Sequence, residues 1–141
     1  VDDVDFRGAR TASPTPEVLD AIERARAIIV GPSNPVISIG PILAVPGITE
    51  ALTASAAPVV AVSPIVHGEV LKPATVPFMQ WAGHALSSDG IVSFYGDLLD
   101  GLVADERTEA VPMLETNVLM GDETGRRRLA EAALRFAETL G

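Results

Sequence analysis

Apolar residues recur along this chain in two rhythms. From Pro16 to Arg26 they fall at Val18, Leu19, Ile22 and Ala25, the three-to-four-residue spacing of one helical face. Thr15 suits the N-cap and Pro16 the first helical position, where a missing N–H costs nothing; Asp20 can pair with Arg24 one turn on. Ala27-Ile28-Ile29-Val30 and Pro58-Val59-Val60-Ala61-Val62 are instead short apolar runs without alternation, which suits strands buried on both faces. Each stops at a proline-containing loop, Gly31-Pro32-Ser33-Asn34-Pro35 after the first and Ser63-Pro64 after the second. Between them, Ser38 to Val45 predicts a short helix and Pro46 to Ala54 another. Ile65 to Lys72 reads as loop, and Pro73 to Gly83 as helix with an irregularity at Pro77. Ile91 to Leu99 fits helix or strand, while Leu102-Val103-Ala104 and Val111-Pro112-Met113-Leu114 predict short strands. The closing helix is marked by Leu129, Ala132, Ala133, Phe136 and Leu140, with Asp122 as its cap and Arg127–Glu131 and Glu131–Arg135 pairs outside. Val1 to Arg7 reads as a strand without a neighbour.

Strands alternating with helices predict an α/β fold: a three-layer, Rossmann-like, mostly parallel sheet with helices on both faces, as one domain over residues 1–141. In such a sheet ligands bind beyond the C-terminal strand ends, which points to the loops at Gly31 and Ser63.

Composition narrows the function. Apolar residues make up 48% of the 141, enough for a core, and they are mainly Ala, Val, Leu and Ile, because aromatics amount to 4%. Ten basic against 19 acidic residues leave a net charge of −9. A field of that sign repels phosphate backbones and acidic lipid, so nucleic acid and membrane are excluded as expected partners. Any anionic ligand has to be held locally. The absence of cysteine removes disulfides, thiolate metal sites and thiol catalysis. The longest apolar stretch, Val36 to Ile48, is broken by Ser38, Gly40, Pro41, Pro46 and Gly47, and the acidic start lacks a signal-peptide plan, so a cytoplasmic protein is expected.

The strongest chemical feature is Gly31-Pro32-Ser33-Asn34-Pro35-Val36-Ile37-Ser38, a strand-to-helix loop of the kind whose backbone amides and helix start hold a phosphate. Ser33, Asn34 and Ser38 add short polar side chains. A plain connection with Ser38 as N-cap is the alternative. Ser33 does not fit a nucleophile elbow, because Pro35 stands at the second glycine position and no histidine follows His84. The second candidate loop carries Ser63, His67, Gly68 and Lys72, the only lysine, which could neutralise a diphosphate or simply face solvent. His67 reads as a loop residue and His84 as a helix-end residue. Asp97 and Asp100 lie close together in Tyr95-Gly96-Asp97 and Asp100-Gly101, with a turn the simpler reading for Asp100. Trp81, Phe78 and Met79 are expected in the core, and Arg126-Arg127-Arg128 on a solvated face.

Taken in order, Ile28-Ile29-Val30-Gly31-Pro32-Ser33-Asn34-Pro35, Ser38-Ile39-Gly40-Pro41-Ile42-Leu43 and Pro46-Gly47-Ile48 resemble the signature of the 2-phospho-L-lactate transferase family, which acts in coenzyme F-420 biosynthesis. The resemblance extends to Pro14-x-Pro16-Glu17-Val18-Leu19, to Ala57 through Ile65, to Tyr95 through Gly101 and to Arg128-Leu129-Ala130. It implies transfer of a phospho-lactyl or phosphoenolpyruvyl group from a guanosine diphosphate-activated acid to the deazaflavin Fo, with release of GMP and with magnesium assisting. The family is longer, and its N-terminal half, with a Gly-rich loop and the metal-binding acidic residues, has no counterpart here. The chain is therefore expected to correspond to the C-terminal portion, as a homodimer or together with the other half. Two alternatives stay open: a nucleotide-sugar-binding regulator of the same superfamily, and an interaction domain with structural loops.

Overall fold

A computed structural model describes all 141 residues. Its centre is a four-stranded sheet of β1 (Ile28–Val30), β2 (Val59–Val62), β5 (Gly101–Ala104) and β6 (Met113–Glu115), in that spatial order. All three pairings are parallel, in registers that set Ile28 against Val59, Val60 against Gly101 and Leu102 against Met113. The strands' C-terminal ends therefore share one edge of the sheet, as expected of a Rossmann-like α/β fold.

Side chains of successive strand residues point to opposite faces, so the unalternating apolar runs supply two cores. Val59, Ala61, Leu102 and Ala104 face α4 (Thr75–Trp81) and α5 (Ser88–Tyr95), packing with Met79, Ile91, Val92 and Tyr95. Val60, Val62 and Val103 face α6 (Glu123–Glu138) and meet Leu129, Ala133 and Ala137. That gives the three layers. On one end α6 lies so close to β5 that a Cβ on Gly101 would come within 2.7 Å of Leu140.

The helices begin where side chains can satisfy their free amides. Thr15 caps α1 (Pro16–Glu23), Ser87 caps α5, and Asp122 caps α6 through Gly125 N at 2.8 Å. Asp20 and Arg24 pair at 2.8 Å across one turn. Glu50 reaches back 3.0 Å to the Gly47 amide at the start of α3 (Ile48–Ala54).

Several expectations are corrected. Val1 to Arg7 is not a strand; three aspartates disfavour pairing, and Phe6 instead packs close over Gly40. The Ile65–Lys72 loop contains a two-stranded hairpin, β3 (Ile65–Val66) and β4 (Glu69–Val70). The ambiguous Ile91–Leu99 segment is the end of α5 followed by a 3₁₀ turn over Gly96–Leu98. Trp81 is 40% exposed, whereas Met79 beside it is fully buried. Pro77 sits at the third residue of α4, where its missing N–H would have had no partner in any case. The apolar stretch around Val36–Ile48 folds as two helical segments turned 85° to one another, and no single helix is long and apolar enough to cross a membrane.

Candidate functional site

The loop after β1 is built around Asn34. Its side-chain Oδ1 accepts hydrogen bonds from Val36 N at 3.0 Å and Ile37 N at 3.2 Å, which caps a π-type turn over Pro35–Ile39. The wide turn forms because both Ser38 N and Ile39 N donate to the Asn34 carbonyl, at 3.0 and 3.1 Å. It continues directly into α2 (Gly40–Leu43). Asn34, and not Ser38, is thus the N-cap. The amides of Ser33, Val36, Ile37 and Ser38 are engaged within the loop and Pro35 has none, so most of the backbone donors expected to cradle a phosphate are already used.

The chemistry moves to the side chains. Asn34 is 5% exposed, and its Nδ2 has no acceptor within the protein. No fully enclosed side-chain polar atom lacks a partner, so Nδ2 opens to accessible space. That space is a cavity of about 180 Å³ at the C-terminal ends of β1 and β2, lined by Asn34, Pro32, Ser63, Pro64, Lys72 and Thr75, with Val66, Leu71, Val118 and Met120 as its apolar part. Ser63, 1% exposed, accepts from Ile65 N at 3.1 Å and keeps its own hydroxyl proton unassigned. Lys72 is exposed and is the only charged residue on the lining. No carboxylate is present there, in a chain with 19 acidic residues. The cavity offers donors and one cation, the pattern that suits an anion.

Of the residues singled out in the sequence, the cavity gathers Asn34, Ser63 and Lys72. Gly31 lines a neighbouring apolar groove of about 270 Å³ between β1 and α6, with Ile29, Leu129 and Ala133, and with Arg126 as its one charged residue. Ser33 turns back on Gly31, N to O at 2.7 Å, and Ser38 is exposed on the π-type turn; neither lines the cavity. His67 and Gly68 form the tip of the β3–β4 hairpin, both at positive φ (52° and 77°). The His67 amide donates to Asp105 Oδ2 at 2.8 Å, and its Nδ1 lies 3.4 Å from the same oxygen. The hairpin is thereby fastened to the end of β5, and Val66 within it and Leu71 just after it form part of the cavity wall.

Other candidates prove structural. Asp100 Oδ2 accepts from Val59 N at 2.8 Å and ties β2 to the turn before β5. Tyr95 is buried in the core beside Phe94, and burial pushes its hydroxyl far above the usual tyrosine range. His84 Nδ1 lies 3.1 Å from Ser93 Oγ. Of the three arginines, Arg127 pairs with Glu131 at 2.8 Å, Arg128 donates to the Asn117 carbonyl at 2.6 Å, and Arg126 rims the apolar groove. Thr75 is the site residue that sequence reasoning missed. Placed two residues inside a helix expected to start at Pro73, it carried no signal; the helix in fact begins at Thr75 itself.

Comparison with known proteins follows the same line. Residues 2–131 match the family model described as 2-phospho-L-lactate transferase CofD. The chain is 41% identical over 140 residues to phosphoenolpyruvate transferase of Kitasatospora aureofaciens, covering 89% of this chain and 44% of that protein. It is 38% identical over 145 residues to 2-phospho-L-lactate transferase of Methanopyrus kandleri, covering 97% and 46%. For the protein of the same name from Methanothermobacter thermautotrophicus the identity is 46% over 103 residues, covering 73% and 33%. The chain spans less than half the length of these relatives.

Proposed function

The chain belongs to the 2-phospho-L-lactate transferase family, and on that premise we propose that it supplies the phosphate-holding part of a transferase in coenzyme F-420 biosynthesis. The observation that carries this reading is the donor-lined, carboxylate-free cavity at the sheet's C-terminal edge, which Asn34, Ser63 and Lys72 line together. The donor substrate is a guanosine diphosphate-activated three-carbon acid, and the acceptor is the terminal hydroxyl of the deazaflavin Fo. The acceptor oxygen forms a bond to the phosphorus carrying the acid, the anhydride bond to GMP breaks, and the hydroxyl proton is released. Negative charge gathers on the departing phosphate. Preorganised neutral donors and one ammonium are what stabilise such charge without moving.

The family resemblance implies magnesium, but this chain's residues do not fit it. No three His, Asp or Glu side chains come together where they could hold a metal ion, and the only charged group on the cavity lining is the Lys72 ammonium, which repels a cation. Acceptor recognition and proton removal fall to the part of the family's length that this chain does not span, or to a second copy, and a cytoplasmic setting suits these small-molecule partners.

Calorimetric titration with GDP and pyrophosphate tests the reading. Both should bind the protein, and Asn34→Asp should abolish both. Mass-spectrometric detection of Fo carrying the phospho-acid group, after incubation with the guanosine donor and with the remaining half of the family's length supplied as a separate chain, tests the transfer. An absence of binding by GDP and pyrophosphate alike overturns the assignment of the cavity.

A further inference from the structure

Thr75 is 98% buried, yet its hydroxyl makes no hydrogen bond within the protein. Its amide donates to the Lys72 carbonyl at 2.9 Å, closing the tight turn Lys72-Pro73-Ala74-Thr75. Because every fully enclosed side-chain polar atom has a partner, the small exposed remainder of Thr75 includes Oγ1, and the residue lines the donor cavity. A hydroxyl that faces a cavity without a partner in the protein is a donor left for whatever occupies that cavity, and here the lining already includes Asn34 and Ser63.

We propose that Thr75 is a substrate-binding residue, and that Thr75, Ser63 and Asn34 together form a three-donor seat for a single phosphoryl group, with Lys72 at its mouth. The three come from separate elements: the start of α4, the end of β2 and the loop after β1. Each is at least 95% buried, and each retains a donor hydrogen with no acceptor in the chain. Three short donors match the oxygens of one tetrahedral phosphoryl group, and the cavity of about 180 Å³ has room for it. The turn also gives Thr75 and Lys72 a common scaffold, so the neutral donor and the ammonium approach the same anion from one side. This inference rests on the reading of the cavity as the phosphate site, and it adds a residue and the group that residue holds.

The test uses inorganic phosphate and pyrophosphate as probes in calorimetry, with thermal unfolding as a control for fold. Thr75→Val keeps shape and removes the hydroxyl; Thr75→Ser keeps the hydroxyl; Thr75→Ala is the second hydroxyl-free variant should valine disturb α4. Loss of about tenfold in phosphate affinity in Thr75→Val or Thr75→Ala, with Thr75→Ser restoring it to within about threefold, is the expected result. If the hydroxyl-free variants bind phosphate as tightly as the parent while Asn34→Asp does not, the Thr75 inference is wrong and the cavity assignment survives. If phosphate and pyrophosphate bind none of the proteins, including the parent, both fall. Pyrophosphate binding much tighter than phosphate, and equally weakened by Thr75→Val, would overturn the single-phosphoryl seat while keeping Thr75 as a contact.

Discussion

Asn34 carries two roles on two different atoms, and that allows fold and ligand binding to be separated by substitution. Oδ1 satisfies the amides of Val36 and Ile37 at 3.0 and 3.2 Å in a loop where Asn34 itself is 5% exposed. Asn34→Ala removes that cap and leaves two amides without their acceptor. Loss of an N-cap costs about 1–2 kcal/mol, which for a chain of this length lowers the unfolding midpoint by roughly 3–10 °C. Asn34→Asp behaves differently. A carboxylate keeps both acceptor contacts and makes them charge-assisted, which offsets the cost of burying it, so stability should stay within about 1 kcal/mol of the parent. Its effect on an anion is severe, because the Nδ2 donor becomes a negative oxygen. Like charges about 4 Å apart at an effective permittivity of about 20 repel by about 4 kcal/mol, so phosphate binding should weaken by at least about a hundredfold. Thermal unfolding and calorimetry on the same two variants read the two effects. The reasoning is refuted if Asn34→Asp binds phosphate like the parent, or if Asn34→Ala unfolds at the parent's midpoint.

Four further outcomes are expected. Gly90→Ala should destabilise the protein by about 3 kcal/mol or more, because the new methyl overlaps the Ala85 carbonyl; chemical denaturation measures it. His67→Gly should leave stability within about 0.5 kcal/mol of the parent, since relief of the left-handed backbone at φ 52° offsets loss of the imidazole contact to Asp105. Glu131 is held below the ordinary 4.5 of a glutamate by its hydrogen bond and charge interaction with Arg127. Its contribution is present above that ordinary value and is lost as pH falls through the lowered one, so Glu131→Gln should flatten the drop in unfolding midpoint between about pH 5 and pH 3. Lys72→Met should weaken phosphate binding and turn an affinity that barely changes with salt into one that rises with it, read by calorimetry at two ionic strengths.

Much of the scaffold was legible because its physics is local. Short unalternating apolar runs bounded by turn residues suit strands covered on both faces, and Val59–Val62 and Gly101–Ala104 are both buried throughout. Caps at Thr15 and Asp122 are where side-chain oxygens meet free amides. The short hairpin at Ile65–Val70 was not legible, since two residues per strand carry no periodicity and the turn uses His67, an uncommon residue at positive φ. Asn34, Ser63 and Lys72 could be named from their places at strand ends. What a linear reading could not supply is which atom is spent internally. Asn34 takes up several of the loop amides expected to meet a phosphate, and Thr75, whose hydroxyl has no partner in the chain, carries no mark in the sequence.

The electrostatics of the cavity follow from where the chain spends its cations. Arg24, Arg26, Arg127 and Arg135 pair with acidic side chains, Arg128 holds the Asn117 carbonyl, and no arginine lines the donor cavity. An anion entering there meets three kinds of force. The surplus of nine negative charges repels it over long range, and salt weakens that repulsion once the screening length falls to about 8 Å. Lys72, exposed at the mouth, attracts it, and salt weakens that too. The dipoles of Asn34, Ser63 and Thr75 act at contact inside a buried pocket, where added ions barely reach. In the parent protein the two screened contributions oppose each other, and phosphate affinity should change little with salt. Remove the ammonium in Lys72→Met and only the repulsion remains to be screened, so affinity should rise as salt is added. A fall of equal slope in both proteins would mean that the cations holding the anion lie elsewhere, and that the neutral donors are not what seats it.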